Sequence, residues 1–138
     1  MYIDTPGQER YQRMTPIACR GAQAAIVGFD VTEDSTLWVC DNWIEEVRTI
    51  VPECVVVAVG NKIDLSERRV ISTEKARAHF EEKGVPYFET SAKTGEGVNG
   101  LFDAVTRMII ERITKRNVDA VNKENMSNNE EDGQCIIC

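Results

Sequence analysis

Several features are absent or scarce in this chain of 138 residues, and each absence excludes a class of site or protein. No glycine is followed by lysine, so the sequence holds no phosphate-binding loop of the form Gly-x4-Gly-Lys-Ser/Thr. No apolar stretch approaches the ~20 residues that span a membrane, and none at the N-terminus resembles a signal peptide, so we expect a cytosolic protein. Lysine and arginine number 16 against 23 aspartate and glutamate, and the net charge of −7 argues against a nucleic-acid binder.

A valine-rich segment is the most informative pattern that is present. Residues 55–59 form an uninterrupted run of small apolar side chains, typical of a strand that is covered on both faces of a parallel sheet. In open α/β sheets, ligands bind just beyond the carboxyl ends of the strands. Asn61, Lys62 and Asp64 follow the run directly, so they stand where a ligand would be bound.

The chemistry of this turn suits a guanine base. A carboxylate such as that of Asp64 can accept two parallel N–H bonds from one planar group. Guanine offers such a pair in its N1–H and 2-amino groups, whereas adenine does not. Taken alone, however, an Asn-Lys-x-Asp turn is more often a solvated turn without a ligand, so the turn by itself leaves both interpretations open.

Two further short apolar segments also end in polar turns. The first is the stub at residues 1–3, and the second is a predicted strand at residues 86–90. Three such strand-and-turn units in this order resemble the small GTPases, and specifically the Rab family. The residues of the two additional turns that match the family's motifs are Asp4, Gly7 and Gln8, and Ser91, Ala92 and Lys93.

The resemblance implies which residues bind the base. The backbone N–H of Ala92 would meet the guanine O6. Lys62 and Lys93 would lay their alkyl stems along the faces of the base. The positions that match the family's two base-contact motifs are Asn61, Lys62 and Asp64, and Ser91, Ala92 and Lys93.

The resemblance also assigns the first turn to the phosphate end of the nucleotide, as switch II. Asp4 would act on Mg²⁺ through a water molecule, and Gly7 would offer its backbone N–H to the terminal phosphate. Gln8 would orient the attacking water, which makes it the candidate catalytic residue. The implied cofactors are GTP or GDP together with Mg²⁺.

The alternation of strands and helices predicts an α/β fold. By resemblance it is a P-loop-NTPase-like small G domain with a parallel sheet and flanking helices, lacking the first strands, the phosphate-binding loop and switch I. We expect residues 1–116 to be this domain, truncated at its N-terminus, and residues 117–138 to be a disordered tail. In the family the missing strand lies beside the one at residues 24–30, so its absence is expected to leave two unpaired strand edges.

Three helices are predicted from the spacing of apolar residues. Ser72 is the predicted N-cap of the second helix, which would bury Ala76 and Phe80. His79, the only histidine, is expected to be a packed or surface residue rather than a catalytic one. The apolar positions of the first helix are Leu37, Cys40, Ile44, Val47 and Val51, and those of the third are Val98, Leu101, Phe102, Val105, Met108, Ile109 and Ile113.

The C-terminal residues 135–138, Cys-Ile-Ile-Cys, favour lipid modification. A zinc or redox Cys-x-x-Cys and an exposed tail without function are the alternatives, but a flexible tail supplies neither a second ligand pair nor a scaffold. Cysteine followed by two aliphatic residues and a final residue is the C-a-a-X form of a prenylation site. Cys135 and Cys138 are the candidate lipidation sites, and stable anchoring would favour both because one lipid chain binds a membrane only marginally.

The resemblance implies a Rab-type small GTPase, a GTP/GDP switch that regulates vesicle-mediated membrane traffic. We expect it at the cytoplasmic face of Golgi or endosomal membranes, with a cytosolic pool. The resemblance implies the prenylation machinery, exchange and activating factors and effectors as partners. Without a phosphate-binding loop, this chain alone is expected to bind guanine weakly and to show no measurable GTP turnover. The alternative is a nucleotide-incompetent, lipid-anchored interaction protein derived from a Rab.

Overall fold

A computed structural model of the protein describes the backbone of residues 2–4, 19–123 and 134–137, and the side chains of residues 19–117. Helices and strands alternate through the long middle segment, as the sequence predicts. The strands are β1 (Tyr2–Asp4), β2 (Ala22–Asp30), β3 (Val55–Asn61), β4 (Tyr87–Glu89) and β5 (Gln134–Ile137), and the helices are α1 (Ser35–Ile50), α2 (Thr73–Glu82) and α3 (Val98–Lys123).

The described strands form one parallel sheet in the order β1-β5-β2-β3-β4. The pairing of β2 with β3 is continuous from Ala24 opposite Val55 to Asp30 opposite Asn61. Residues 56–60 of β3 are all buried, which confirms the prediction of a strand covered on both faces. An α/β architecture with a parallel sheet is therefore confirmed.

Helices cover both faces of the sheet. On one face, Val27, Phe29 and Ala58 belong to a buried cluster that also contains side chains of α1 and α2. On the other face, Ile26 and Val57 belong to a second cluster with side chains of α3. None of the described helices is both long and apolar enough to cross a membrane.

The predicted helix faces agree with the structure. Leu37, Cys40, Ile44 and Val47 of α1 are buried, while Val51 follows the last helical residue. Helix α2 begins after Ser72, whose hydroxyl accepts the Lys75 N–H at 3.2 Å, and it buries Ala76 and Phe80. Of the residues predicted for α3, Leu101 and Val105 are buried, whereas Ile113 is 40% exposed.

The structure differs from the predicted tail in two places. Helix α3 continues to Lys123, beyond the predicted boundary at residue 116. Residues 134–137, expected to be disordered, form β5, which pairs with both β1 and β2. The sequence around them has no apolar periodicity, but a Cys-Ile-Ile run suits an extended strand. The intervening residues 124–133 lie outside the described part of the chain.

Strand β5 also corrects the expectation of two unpaired strand edges. It lies between β1 and β2, in register with Ile3 and Ala25 at Ile136. Because an open edge exposes a row of unpaired N–H and C=O groups, a strand in this position satisfies both neighbours at once. Within the described sheet, the edge of β2 that faces β1 is therefore paired.

Candidate functional site

The Asn-Lys-x-Asp turn lies at the carboxyl end of β3. Asn61 is the last residue of the strand, and the next residue, Lys62, has a positive φ of 69°. This left-handed conformation is uncommon for a residue with a side chain. The turn is closed by a hydrogen bond from the Leu65 N–H to the Lys62 carbonyl at 3.0 Å. The chain therefore reverses directly after the buried strand, and Asp64 lies beside the loop that follows β4.

Asn61 joins the turn to the loop after β4. Its side-chain oxygen accepts the backbone N–H of Ala92 at 3.0 Å and lies 3.5 Å from the hydroxyl of Thr90. The backbones are joined as well, because the Thr90 N–H donates to Gly60 at 2.9 Å and the Ile63 N–H donates to Thr90 at 3.3 Å. With its oxygen engaged in this way, Asn61 has its amide NH₂ group left to donate to a ligand.

Asp64 is held by Ser91. The Ser91 hydroxyl donates to Asp64 Oδ1 at 2.6 Å and accepts the Thr94 N–H at 3.2 Å, and Ser91 is fully buried. A hydroxyl that is held from both sides restrains the position of the Asp64 Oδ1 atom in turn. An ionised carboxylate has about four lone-pair sites, so Asp64 keeps the capacity to accept a pair of N–H groups.

The loop after β4 is closed by its own backbone. The Ser91 N–H donates to Glu96 at 2.9 Å, and the Gly95 N–H donates to Ser91 at 2.8 Å. Gly97 has φ +73°, and a Cβ atom built there would lie 2.2 Å from the carbonyl oxygen of Glu89. Only glycine fits this close approach. Ala92 and Lys93 are exposed at the tip of the loop.

Two residues of the site were missed by the sequence analysis. One is Asp30, the last residue of β2, whose Oδ2 lies 2.5 Å from Lys62 Nζ. Its Oδ1 accepts the Thr32 N–H at 2.8 Å and the Thr32 hydroxyl at 2.7 Å. Burial opposes ionisation, but the hydrogen bonds from Lys62 and Thr32 outweigh it and lower the pKa of Asp30. Its place at the carboxyl end of a predicted strand was the available signal.

The other missed residue is Glu89, the last residue of β4. Its carboxylate accepts hydrogen bonds from Arg69, Tyr87 and Thr73. Arg69 lies 20 residues earlier in the chain, so no local sequence pattern predicts that the two residues pair. Burial alone would favour the neutral acid, but these donors lower the pKa of Glu89.

Of the predicted switch II residues the structure describes only Asp4, whose backbone lies away from this site. Asp4, the last residue of β1, pairs with Ile137 of β5, which in turn pairs with Ile26 of β2. Asn61 of β3 instead pairs with Asp30, which lies further along β2 towards its carboxyl end. With β5 and β2 between β1 and β3, Asp4 lies about 14 Å to the side of Asn61 and about 13 Å back along the strands, by standard strand spacings. Gly7 and Gln8 lie outside the described residues.

A magnesium site is not formed by the described side chains. Among them, no group of His, Cys, Asp and Glu is arranged to hold a metal ion. The predicted contact with Mg²⁺ therefore rests on Asp4, of which only the backbone is described. Cys135 is likewise described only by its backbone, in β5, and Cys138 lies outside the described residues.

His79 is packed against Asp41 and Phe80, which is one of the two roles, packed or surface, that were predicted for it. Its Nε2 lies 2.9 Å from both carboxylate oxygens of Asp41, and Lys83 Nζ lies 3.2 Å from Asp41 Oδ2. The ring also meets Phe80 edge-on, with centroids 5.0 Å apart. This cluster joins α1 to α2, and none of its hydrogen bonds reaches the loops after β3 and β4.

The chain is similar to known small GTPases. The model of the Ras family matches residues 1–111. The GTP-binding protein ypt5 of Schizosaccharomyces pombe is 44% identical over 108 residues, which make up 77% of this chain and 51% of that protein. The Ras-related protein Rab-5A of Dictyostelium discoideum is 40% identical over 114 residues, covering 82% of this chain and 57% of that protein.

A third relative, the Ras-related protein RabQ of Dictyostelium discoideum, is 35% identical over 125 residues, or 90% of this chain and 61% of that protein. The chain thus spans between 51% and 61% of the length of these relatives. The described α/β architecture, with its parallel sheet and flanking helices, agrees with part of a small G domain. The chain belongs to the Ras family of small GTPases, as a Rab-type member.

Proposed function

We propose that the loops after β3 and β4 recognise the guanine base of GTP or GDP. The observation that carries this proposal is the pair of cross-links at the carboxyl edge of the sheet. Ala92 donates to Asn61 at 3.0 Å, and Ser91 donates to Asp64 at 2.6 Å. Each cross-link joins a residue of one base-contact motif to a residue of the other, so the two motifs form a single polar surface.

Each group on this surface has a task in reading the base. Asp64 accepts the N1–H and 2-amino groups of guanine, and the Asn61 NH₂ group donates to an acceptor on the ring. The Ala92 N–H reaches the guanine O6 by sharing its hydrogen bond to Asn61. Adenine lacks the paired donors, and an unsatisfied buried polar group costs about 1–3 kcal/mol, so adenine is rejected.

Titration of the ¹⁵N-labelled chain with guanosine and with adenosine tests this proposal. Guanosine should shift the amide signals of Lys62, Asp64 and Ala92, whereas adenosine at equal concentration should leave them in place. Equal responses to the two nucleosides, or none to guanosine up to its solubility limit, would contradict the proposal. Nucleosides are the appropriate probes because they isolate base recognition from phosphate binding.

The phosphate end of the nucleotide is a separate part of the proposal. We assign Asp4 to Mg²⁺ through water, Gly7 to the terminal phosphate and Gln8 to the attacking water. No glycine of this chain is followed by lysine, as a phosphate-binding loop requires, and loss of three charge-assisted phosphate contacts costs on the order of 5 kcal/mol. The chain by itself should therefore bind GTP weakly and show no measurable turnover. Turnover that disappears in a Gln8→Ala variant would contradict this.

The proposed cellular role is a GTP/GDP switch in vesicle traffic, anchored to the cytoplasmic face of Golgi or endosomal membranes. Its partners would be the prenylation enzymes, exchange and activating factors and effectors. Lipid would be carried by Cys135 and Cys138. Because Cys135 belongs to β5, the segment has to leave the sheet before it can enter a modifying enzyme. A Cys135→Ser and Cys138→Ser double variant should lose membrane association in cell fractionation, and unchanged association would argue against the anchor.

A second candidate function is a nucleotide-incompetent, lipid-anchored interaction protein derived from a Rab. The observation that favours it is the absence of any glycine followed by lysine in the sequence. The affinities for guanosine and adenosine separate the two functions. A nucleotide-incompetent protein should show no preference for guanosine, whereas a guanine-binding protein should show one. Binding to Rab escort or effector proteins without nucleotide would support it.

A further inference from the structure

Glu89 lies where β4 ends and the loop carrying Ser91 begins. Its Oε1 accepts hydrogen bonds from Arg69 Nη2 and from the Tyr87 hydroxyl, the latter at 2.7 Å. Its Oε2 accepts Arg69 Nη1 at 3.3 Å and the Thr73 hydroxyl at 3.2 Å. The Glu89 and Arg69 side chains are only 21% and 20% exposed, so this paired contact is largely shielded from water.

Arg69 connects Glu89 to the other loop of the site. It directly follows the 3₁₀ turn Ser66–Arg68, which continues from the Asn61–Asp64 turn through the hydrogen bond of the Arg68 N–H to Leu65 at 2.9 Å. Arg69 Nε also donates to the Ile71 carbonyl at 2.6 Å, which fixes the direction of the guanidinium group. The Arg69–Glu89 pair therefore ties the chain just after one base-contact motif to the chain just before the other.

The backbone of Glu89 is fixed as well as its side chain. Gly97, at the end of the loop, approaches the Glu89 carbonyl so closely that a Cβ atom there would lie 2.2 Å from it. The N–H of the next residue, Thr90, donates to Gly60 of β3 at 2.9 Å. Glu89 is thus the point at which the β3 turn, the β4 loop and the start of α2 meet.

The charges of this cluster depend on one another. Hydrogen bonding to Glu89 raises the pKa of Arg69 despite its burial. Burial, followed by the hydrogen bond to Glu89, raises the pKa of Tyr87. Glu89 is consequently an ionised acceptor surrounded by donors at neutral pH, and its amide counterpart would place an NH₂ group against a guanidinium.

We propose that Glu89 is a positioning residue that holds the two base-contact loops at the spacing required to read guanine. In this role Glu89 acts through Arg69, Tyr87 and Thr73 on the Asn61–Ala92 and Asp64–Ser91 contacts. The consequence for guanine rests on the proposed function, whereas the positioning itself is a property of the loops without ligand.

The cluster around Asp41 provides a matched control. Asp41 is also a carboxylate shielded from water, 7% exposed against 21% for the Glu89 side chain, and it also accepts from nitrogen groups at the C-terminal end of a neighbouring helix, His79 and Lys83. It joins α1 to α2 rather than the two loops. Asp41→Asn and Glu89→Gln therefore make the same chemical change, and only the second touches the loops.

The first measurement is amide hydrogen exchange in the full chain without ligand. Glu89→Gln should speed exchange of the Ala92 amide by about tenfold, the effect of losing one charge-assisted hydrogen bond on the opening of its contact with Asn61. Asp41→Asn should leave the exchange rate of the Ala92 amide unchanged, even if it lowers the unfolding midpoint as much as Glu89→Gln does. Unchanged exchange in Glu89→Gln, or equal acceleration in Asp41→Asn, would overturn the positioning role.

The second measurement is the ratio of affinities for guanosine and inosine, which lacks the 2-amino group. Glu89→Gln should lower the preference for guanosine several-fold, and Asp41→Asn should preserve it. An unchanged preference in Glu89→Gln would overturn the effect on base reading. No preference in the unaltered chain would instead contradict the proposed function, while the exchange data would still decide the positioning role.

If Glu89→Gln fails to fold, Thr73→Val provides the milder variant. It removes one hydrogen bond to Glu89 and retains the size of the side chain. The expected acceleration at Ala92 is then smaller, about threefold or less, because the bond is long, at 3.2 Å, and the paired contact with Arg69 remains. A folded Thr73→Val chain with unchanged exchange at Ala92 would count against the positioning role.

Discussion

The loop joint, where Glu89 connects the loops after β3 and β4, differs in kind from the helix joint, where Asp41 connects α1 and α2. Asp41 is buried, at 7% exposure, and the Glu89 side chain is largely shielded from water, at 21%. Between the helices, the Asp41 cluster accompanies an apolar core that includes Leu37, Ile44 and Phe80. Between the loops, the contacts are polar, from Asn61 with Ala92 to Asp64 with Ser91. When one polar contact is removed, the apolar core should keep the two helices in place, whereas the two loops should change their relative position.

This difference explains where ligand recognition can reside. A polar joint leaves unused donors and acceptors at its surface, such as the Asn61 NH₂ group and the second oxygen of Asp64. At the helix joint, Asp41, His79 and Lys83 pair with one another beside the apolar core. Substitutions at the helix joint should therefore affect stability alone, and substitutions at the loop joint should affect recognition.

Removing the carboxylate of Asp64 should produce the largest effect. Asp64→Ala deletes the acceptor of two N–H groups of guanine, which should weaken guanosine binding by a hundredfold or more, as expected for two charge-assisted hydrogen bonds. The free energy of unfolding should fall by about 1–3 kcal/mol, because the buried hydroxyl of Ser91 loses its acceptor. Calorimetric or NMR titration measures the affinity.

Glu67→Ala is the control for Asp64→Ala, since Glu67 is an exposed carboxylate in the neighbouring 3₁₀ turn. It should bind guanosine like the unaltered chain. Comparable losses in the two variants would mean that general negative charge, rather than the Asp64 oxygens, controls binding.

Two glycines, one in the loop after β4 and one after α2, provide the next test of the difference between the two joints. Gly97 in the loop and Gly84 after α2 both have positive φ, +73° and +62°. An added Cβ meets the Glu89 carbonyl at 2.2 Å in the first case and nothing within 4 Å in the second. Both Gly→Ala variants should lose about 1 kcal/mol to backbone strain, and Gly97→Ala should lose about 2 kcal/mol more together with most guanosine binding.

Urea unfolding of the two variants checks the stability difference, and titration with guanosine checks the recognition difference. If Gly84→Ala weakened guanosine binding as much as Gly97→Ala, loop geometry would not be the cause. If Gly97→Ala kept full affinity, the close approach to Glu89 would have no role in the site.

Acid should weaken the loop joint through Glu89. The pKa of Glu89 is lowered from its ordinary value of 4.5, so its ionised form is favoured by folding. The contribution of Glu89 to stability is therefore complete above pH 4.5 and is lost as the pH falls through the lower pKa of the folded protein. Unfolding free energies measured from pH 7 to pH 3 should decline less steeply in Glu89→Gln, and parallel curves would contradict this.

Asp30→Asn should give the smallest effect. It breaks the ion pair with Lys62, whose side chain is 54% exposed, so the loss of stability should stay below about 1 kcal/mol and shrink in high salt. Lys62 would then be released from the end of β2. A loss of several kcal/mol in urea unfolding would mean that the pair supports the turn more than its exposure allows.

Much of the loop joint could be predicted from sequence because its residues lie in short motifs directly after buried strands. Asn61, Asp64 and Ser91 were found in this way, and the structure brings them together. Glu89 was missed because its partner, Arg69, is distant in the chain, so the pair exists only after β4 has joined the sheet. Strand β5 was missed for a similar reason, since its role depends on an open position beside β2.

The central claim, that the oxygens of Asp64 read the N1–H and 2-amino groups of guanine, is tested most directly by Asp64→Asn. Asparagine still accepts from N1–H but donates to the 2-position, where xanthine carries a carbonyl oxygen. Paired titrations with guanosine and xanthosine should show that the variant prefers xanthosine while the unaltered chain prefers guanosine. The assignment would be contradicted if the variant kept the preference for guanosine. It would also be contradicted if the unaltered chain preferred guanosine while the variant lost that preference without gaining affinity for xanthosine.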